Sequence, residues 1–368
     1  MDGKYLAAIS TTVGTIVGGG ILGLPYAVSK TGFFPALGLF ALLGLASILI
    51  TMYTGELSSR FKRFHQLPVI VSEYMGKRFR VLVLVIQILT IYGAQIAYLS
   101  GIALVFTLLF GLPFQMAVLL IFLLTLPIIY KGYREVENVE VPLLFIKIGL
   151  ILASAISVLI LLNLNNFSHM STANFLSPFG VVLFSLTGYT VIPEIKAELG
   201  GTKKLTEVIL VSFAIAIAIY LFFTFAFIGA FGTGVSQVAT ESIHSFYYDI
   251  LFAVTTVFLL ITPYLALSLV LMDSFSYDFK MDRKLSMLPA LLIPLIFALI
   301  NLNFVYVLEL TGGIFISILS VIVLIAVYLA RKKEKTKPAY LVPGNGYLIL
   351  FTAIIMISGL VYTLIEVL

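Results

Sequence analysis

Little side-chain catalytic chemistry is on offer in this 368-residue chain. It has no cysteine, which excludes thiol nucleophiles, disulfides and Cys-based metal sites. Its three histidines, His65, His169 and His244, fall in separate expected loops, and no H-E-x-x-H pattern, pair of intramembrane aspartates or phosphate-binding P-loop occurs. These features argue against an enzyme and against a resident metal or other cofactor. Two glycine- and proline-interrupted apolar stretches offer backbone chemistry instead. "TTVGTIVGGGILGLPYA" (11–27) carries Gly18, Gly19 and Gly20 in a row, with Pro25 shortly after; "LFSLTGYTVIPEIKAEL" (183–199) carries Gly188 and Pro193. Glycine and proline are the poorest helix formers. In lipid, each unpaired N–H or C=O costs several kcal/mol, so a helix broken there needs another partner for its backbone. Its free N–H groups and positive dipole end suit a carboxylate, and its free carbonyls suit an ammonium group or a cation. The competing reading is close helix packing, since glycines also mark helix contacts in membranes and "GTIVG" (14–18) fits G-x-x-x-G.

The elements that must position these stretches are membrane spans. The chain is 61% hydrophobic and 11% charged, against about a quarter charged in soluble domains. With roughly 20 apolar residues needed per crossing, about 11 spans are expected, near 5–30, 33–58, 80–110, 113–130, 140–162, 174–196, 205–232, 247–273, 286–301, 303–330 and 346–366. The first run is too long for a cleaved signal and leads straight into the next span. Six Lys/Arg fall in 60–80, two in 131–140, three in 196–204, three in 280–284 and five in 331–337, all on one side with Lys4, while 163–175, 232–246 and 301–304 carry none. By the positive-inside rule this multi-pass protein of the cell membrane has a cytoplasmic N-terminus, and an odd span count puts Leu368 outside. The basic clusters alternate with the spans, so they read as topology signals at the lipid surface rather than as a nucleic-acid site. Asn166-Phe167-Ser168, on the expected outer side, matches a glycosylation acceptor. "FHQLPVIVSEYM" (64–75) suits either an interfacial amphipathic helix or a packed connecting helix.

A faint internal repeat links the two broken stretches. Gly20, Pro25 and Gly32 recur as Gly188, Pro193 and Gly200 at a constant offset of 168. Each copy opens a block of five spans, 1–163 and 174–330, with 346–366 as an additional span. Five is odd, so the blocks insert in opposite senses. Paired interruptions at corresponding positions of two halves are the pattern expected of an inverted-repeat transporter, with its solute site at the interruptions.

The same residues carry a family resemblance. "GTIVGGGILGLPYA" with "KTGFFPA" resembles the first-helix signature of the amino acid/auxin permease family, within the amino acid–polyamine–organocation superfamily. "LFSLTGYTVIPEIKAEL", "YGAQIAYLSG" (92–101) and "PYLALSLVLMDSF" (263–275) resemble its sixth, third and eighth helices. The chain is equally similar to the bacterial aromatic amino acid permeases. The resemblance implies an all-α, LeuT-type fold of five plus five inverted helices, with helices 1 and 6 broken and one extra C-terminal helix. It also implies alternating access, an amino acid substrate and coupling to protons or sodium. By motif, Gly18, Gly19 and Gly20, with Ile21 beside them, would meet the substrate carboxylate. Phe184, Ser185, Leu186 and Thr187 would offer carbonyls to the amino group and an aromatic gate. Tyr92, Gln95 and Tyr98, spaced by three, would line the site from the third helix; internal helix packing is the alternative.

Sodium-coupled proteins of this fold hold an ion between first-helix carbonyls, here Gly14 and Val17, and eighth-helix hydroxyls. Here Thr262 is followed by Pro263, where a second hydroxyl would serve. Lys147, in "VPLLFIKIGLILASAISVL" (141–159), resembles a fifth-helix lysine whose ammonium takes that ion's place in proton-coupled relatives. An ionisable group within a span is a functional candidate, and snorkelling to the surface is its alternative role. The expectation is a proton-coupled amino acid symporter with no obligatory protein partner. The alternatives are a sodium-coupled symporter or a membrane amino acid sensor. Four acids lie in or near spans: Glu56, Glu194 and Glu198 toward the basic ends, where gate contacts or solvation are both open, and Glu309 toward the opposite side.

Overall fold

A computed structural model describes residues 3–61, 63, 65–131, 140–243, 246–333, 338–344 and 346–367. His244, Arg134, Lys335, Lys337 and Leu368 lie outside the described residues. The helices, in chain order, are α1 (Gly3–Ile16), α2 (Gly20–Ser29), α3 (Phe33–Ser59), α4 (Leu67–Met75), α5 (Lys77–Phe110), α6 (Phe114–Lys131), α7 (Glu140–Val158), α8 (Phe179–Ser185), α9 (Ile192–Glu198), α10 (Leu205–Phe231), α11 (Phe246–Tyr277), α12 (Arg283–Met287), α13 (Ile293–Leu299), α14 (Phe304–Leu310), α15 (Ser317–Lys333) and α16 (Gly346–Val367). No strand occurs among the described residues.

Eight helical stretches are long and apolar enough to cross a membrane on their own, and α1 with α2 makes a ninth crossing bent by 50°. Two further expected crossings are built from shorter pieces. One is α8 and α9, separated by Leu186–Gly188 and a 3₁₀ turn at Tyr189–Val191. The other is α12 and α13, joined by a π segment at Leu288–Leu292. A second π segment, Thr311–Ile316, joins α14 to α15.

The spans sort into two groups of four. The first and second spans pack with the sixth and seventh: α10 lies on α1, α2 and α3, while α8 and α9 lie on α2 and α3. The third and fourth pack with the eighth and ninth: α5 lies on α6, α11 and α13, and α6 on α11 and α13. The fifth and tenth spans bridge the groups, α7 touching α1, α10 and α11, and the tenth touching α5 and α8. Several buried hydroxyls bond inside their own helices, as in Thr12 to the Ala8 carbonyl (2.7 Å), Thr51 to Ser47 (2.7 Å) and Thr125 to Ile121 (2.9 Å). That internal bonding lets polar residues sit in an apolar bundle.

The connecting segment after α3 is a packed helix: α4 buries Leu67, Pro68, Ile70 and Val71 and lies against α5 and α15. The ends that carry basic residues meet one another. The Lys196 ammonium donates to the Ser58 (2.5 Å) and Phe61 (2.7 Å) carbonyls at the end of α3. Arg331 forks onto Glu56 at 2.9 and 2.6 Å, and Arg80 pairs with Asp278 at 3.3 Å. Gly32 and Gly200, which close the two copies of the interrupted stretch, both adopt positive φ, 97° and 65°. Only glycine takes that conformation freely, and it ends a helix.

Candidate functional site

The first break comprises Val17, Gly18 and Gly19, between α1 and α2. There the Gly18 N–H turns to the Ile16 carbonyl (2.9 Å) and the Ile21 N–H to the Gly18 carbonyl (3.4 Å). In a continuous helix these donors would serve the carbonyls four residues back, Gly14 and Val17. The break therefore takes the helical partner from the two carbonyls expected in a coupling site. On its other side, the Ile21 and Leu22 N–H groups turn to the Gly18 (3.4 Å) and Gly19 (3.2 Å) carbonyls, and the start of α2 at Gly20 is the positive end of that helix.

The three glycines are not equivalent. A Cβ on Gly19 would fall on Leu260 and 2.6 Å from Tyr98 Cε1. One on Gly20 would fall on the Ser185 hydroxyl and 3.1 Å from Phe184 Cδ1. Both are close-approach positions in which the glycine hydrogen faces protein. A Cβ on Gly18 would have one neighbour, the Tyr98 hydroxyl at 3.8 Å, and one on Gly14 would meet open space. For "GTIVG", then, helix packing does not account for the glycines. Ile21 is fully buried. The rings of Tyr98 and Phe184 meet edge-on at 6.5 Å beside the break.

The second break starts where α8 ends at Ser185. The Ser185 hydroxyl donates to the Val181 carbonyl (2.8 Å) and the Thr187 hydroxyl to the Leu183 carbonyl (2.9 Å), so each presents its oxygen as an acceptor. Leu186 is buried and Thr187 half-buried. A Cβ on Gly188 would lie 2.9 Å from Ile16 Cγ1, so the two breaks touch.

A cavity of about 260 Å³ opens at the first break, lined by Ser10, Thr11, Gly14, Thr15, Gly18, Tyr98, Leu143, Leu144, Lys147, Thr262, Pro263, Ala266 and Leu267. It brings together Gly14, Lys147 and Thr262, which come from the first, fifth and eighth spans. The Thr262 hydroxyl donates to the Phe258 carbonyl (3.2 Å). A second cavity, of about 510 Å³, shares Leu143, Thr262 and Ala266 with the first and runs past Glu194 and Asp273 to Asp278. A third, of about 310 Å³, shares Thr15 and Leu267 and reaches Thr187, Glu194 and Gln66. Together they lead from the breaks to the side that carries the basic loops.

Of the third-helix trio, Tyr98 reaches the site. Tyr92 and Gln95 do not line the cavities. The Tyr92 hydroxyl donates to the Pro289 carbonyl (2.7 Å) and the Gln95 amide to the Ser268 hydroxyl (2.8 Å). The reason is rotational: at about 100° per residue, six residues turn the helix face by about 120°. Tyr98 faces the break, and the other two face the partners of α5.

Two residues in the site were not among the expected ones. Leu260 closes over Gly19. Tyr220, fully buried in the middle of α10, donates its hydroxyl to the carbonyls of both Ile16 (2.5 Å) and Ser185 (2.9 Å). Leu260 had no sequence signal. Tyr220 had one, a lone phenol in "AIAIAIYLFF" (214–223), since a buried tyrosine hydroxyl usually finds a partner.

The acids divide by position. Glu56 is fully buried and takes four hydrogen bonds, from Arg60, the Val342 N–H and twice from Arg331; it anchors span ends rather than facing a cavity. Glu194 lines the path to the basic side, and Glu198 ends α9. Glu309 lines a separate cavity of about 340 Å³ at the opposite side, with Tyr26, Lys30 and Glu366.

Comparison with known proteins agrees with this geometry. No curated protein matches the chain. Among solved structures, the crystal structure of MhsT in complex with L-phenylalanine superposes with a TM-score of 0.68 at 16% identity, covering 99% of this chain and 98% of that one. The fold is therefore the LeuT type, with the first and sixth spans broken. The description of the tryptophan/tyrosine permease family matches residues 1–365. Of the two resemblances seen in the sequence, the match supports that to the aromatic amino acid permeases and does not establish the one to the amino acid/auxin permeases. This chain belongs to the tryptophan/tyrosine permease family and is a multi-pass amino acid transporter, not an enzyme.

Proposed function

We propose that this permease carries an aromatic amino acid by alternating access, and that Lys147 couples the cycle to protons. The observation that carries the reading is the cavity in which Lys147, Gly14, Gly18, Tyr98 and Thr262 converge. The substrate carboxylate binds at the N-terminal end of α2, where Gly18 leaves room for it. Carbonyls of the second break, at Leu186 and Thr187, receive the ammonium group. Tyr98, Phe184 and Leu260 form the apolar wall on the far side, and they suit an aromatic side chain.

Lys147 shares its cavity with Gly14, whose carbonyl has lost its helical donor. An ammonium there is stabilised by such dipoles and destabilised by desolvation. A gate movement that parts Lys147 from the first span takes the ammonium away from those dipoles and releases the proton along the path past Glu194 and Asp273. With the basic loops cytoplasmic, the path opens inward and the last span ends outside. The two blocks, 1–163 and 174–330, act as inverted repeats around the paired breaks.

The test is uptake of labelled L-tryptophan into proteoliposomes under an imposed pH gradient or an imposed sodium gradient. Accumulation should follow the pH gradient without sodium. Lys147→Ala should abolish it while leaving substrate-for-substrate exchange. Sodium-dependent uptake at equal pH, or pH-driven uptake unchanged in Lys147→Ala, would refute the coupling role.

A further inference from the structure

The Tyr220 hydroxyl lies where the two broken helices come closest. Ile16 is the last residue of α1 and Ser185 the last of α8. Each carbonyl sits at the C-terminal end of a half-helix, which carries a partial negative charge of about half an elementary unit. Packing forces these two like-signed ends together: Gly188 abuts Ile16, and Gly20 abuts Ser185 and Phe184. The junction is buried at mid-span, where unpaired carbonyls are costly. The hydroxyl hydrogen of Tyr220 is shared between both carbonyls, at 2.5 and 2.9 Å. The Gly18 N–H also reaches the Ile16 carbonyl, at 2.9 Å, and helps to balance that end.

We infer that Tyr220 is a positioning residue of the substrate site. Its hydroxyl pins the ends of α1 and α8 to one point on α10 and so sets the spacing of the two breaks. It also withdraws the Ile16 and Ser185 carbonyls from the ligand. The acceptors left for an ammonium group are then those further into the breaks, at Leu186 and Thr187. Without the hydroxyl, the two carbonyl ends repel, the breaks part, and Ile16 and Ser185 compete for the ammonium in the wrong place. The Tyr220 oxygen also lies beside the Gly18 N–H, but its hydrogen is held by the Ile16 and Ser185 carbonyls, so the carboxylate end, at the N-terminus of α2, is affected less.

This inference rests on the amino acid reading above, and the experiment separates the two. Tyr220→Phe keeps the ring and removes one oxygen. Equilibrium binding of L-tryptophan and of 3-(indol-3-yl)propionate, which lacks the amino group, is measured for wild type and Tyr220→Phe in detergent, together with the ligand-free melting temperature. The variant should lose at least tenfold in affinity for L-tryptophan and less than threefold for the des-amino analogue. L-Tryptophan affinity within twofold of wild type would overturn the inference. So would a parallel loss for both ligands, which would reduce Tyr220 to a packing residue. Wild-type protein that binds neither L-tryptophan, L-tyrosine nor L-phenylalanine would overturn the substrate reading itself, and this inference with it.

Discussion

Gly18→Ala separates a ligand-facing glycine from a packing glycine. In the folded protein the added methyl would have one neighbour, the Tyr98 hydroxyl at 3.8 Å, an ordinary van der Waals distance. Gly18 is not among the glycines with positive φ, so alanine fits the backbone. Such a replacement changes stability by about 0.4–1 kcal/mol in the favourable direction, through the unfolded chain. The methyl nevertheless projects into the cavity where the carboxylate approaches α2. Displacing the carboxylate from one backbone donor loses a hydrogen bond to a charged group, about 1.5–3 kcal/mol, or about 10- to 150-fold in affinity. Gly19→Ala is the contrast. Its methyl collides with Leu260 and Tyr98, so overpacking of about 1–3 kcal/mol should lower its melting temperature. Thermal melting in detergent and equilibrium binding of L-tryptophan measure both effects. A Gly18→Ala protein that melts like wild type and binds within twofold of it would refute the placement of the carboxylate.

Three further outcomes follow from the same geometry. The chain has no native cysteine, so Asn166→Cys should be labelled by an impermeant maleimide from outside intact cells and Lys204→Cys should not; labelling of both from one side would end the inverted-repeat model. Glu56→Ala strands Arg60 and Arg331 and should destabilise the protein by about 3–5 kcal/mol, seen as a lower melting temperature, with an unchanged value counting against a buried ion cluster. Glu241, in the loop between α10 and α11, has its carboxyl pushed up to about 8 by burial. The folded state therefore keeps this proton after the unfolded chain has released it near 4.5. Glu241's contribution to stability is full below that value and is lost as pH rises toward 8. Glu241→Gln should flatten that part of the pH–melting profile, and an identical profile in the variant would contradict the burial of this carboxyl.

Much of this protein is legible along the chain because the membrane makes it so. Span length, the alternation of basic loops and the weakness of glycine–proline stretches are local properties, and lipid penalises any backbone that does not obey them. That is why 11–27 and 183–199 could be read as breaks and why Lys147 stood out in its span, whereas Gly14 and Val17 were named from the family resemblance. Facing and contact are not local. Tyr92, Gln95 and Tyr98 share a spacing, but helix rotation and the position of α11 send Tyr98 to the break and the others to Pro289 and Ser268. Glu56 read as one acid near a span end until the packing brought Arg331 to it across 275 residues of chain. Leu260 over Gly19, and Tyr220 between the Ile16 and Ser185 carbonyls, exist as contacts because four spans converge there. A hydrogen bond between residues 204 positions apart leaves no mark in the local pattern of either one, since each helix would form the same way without the other.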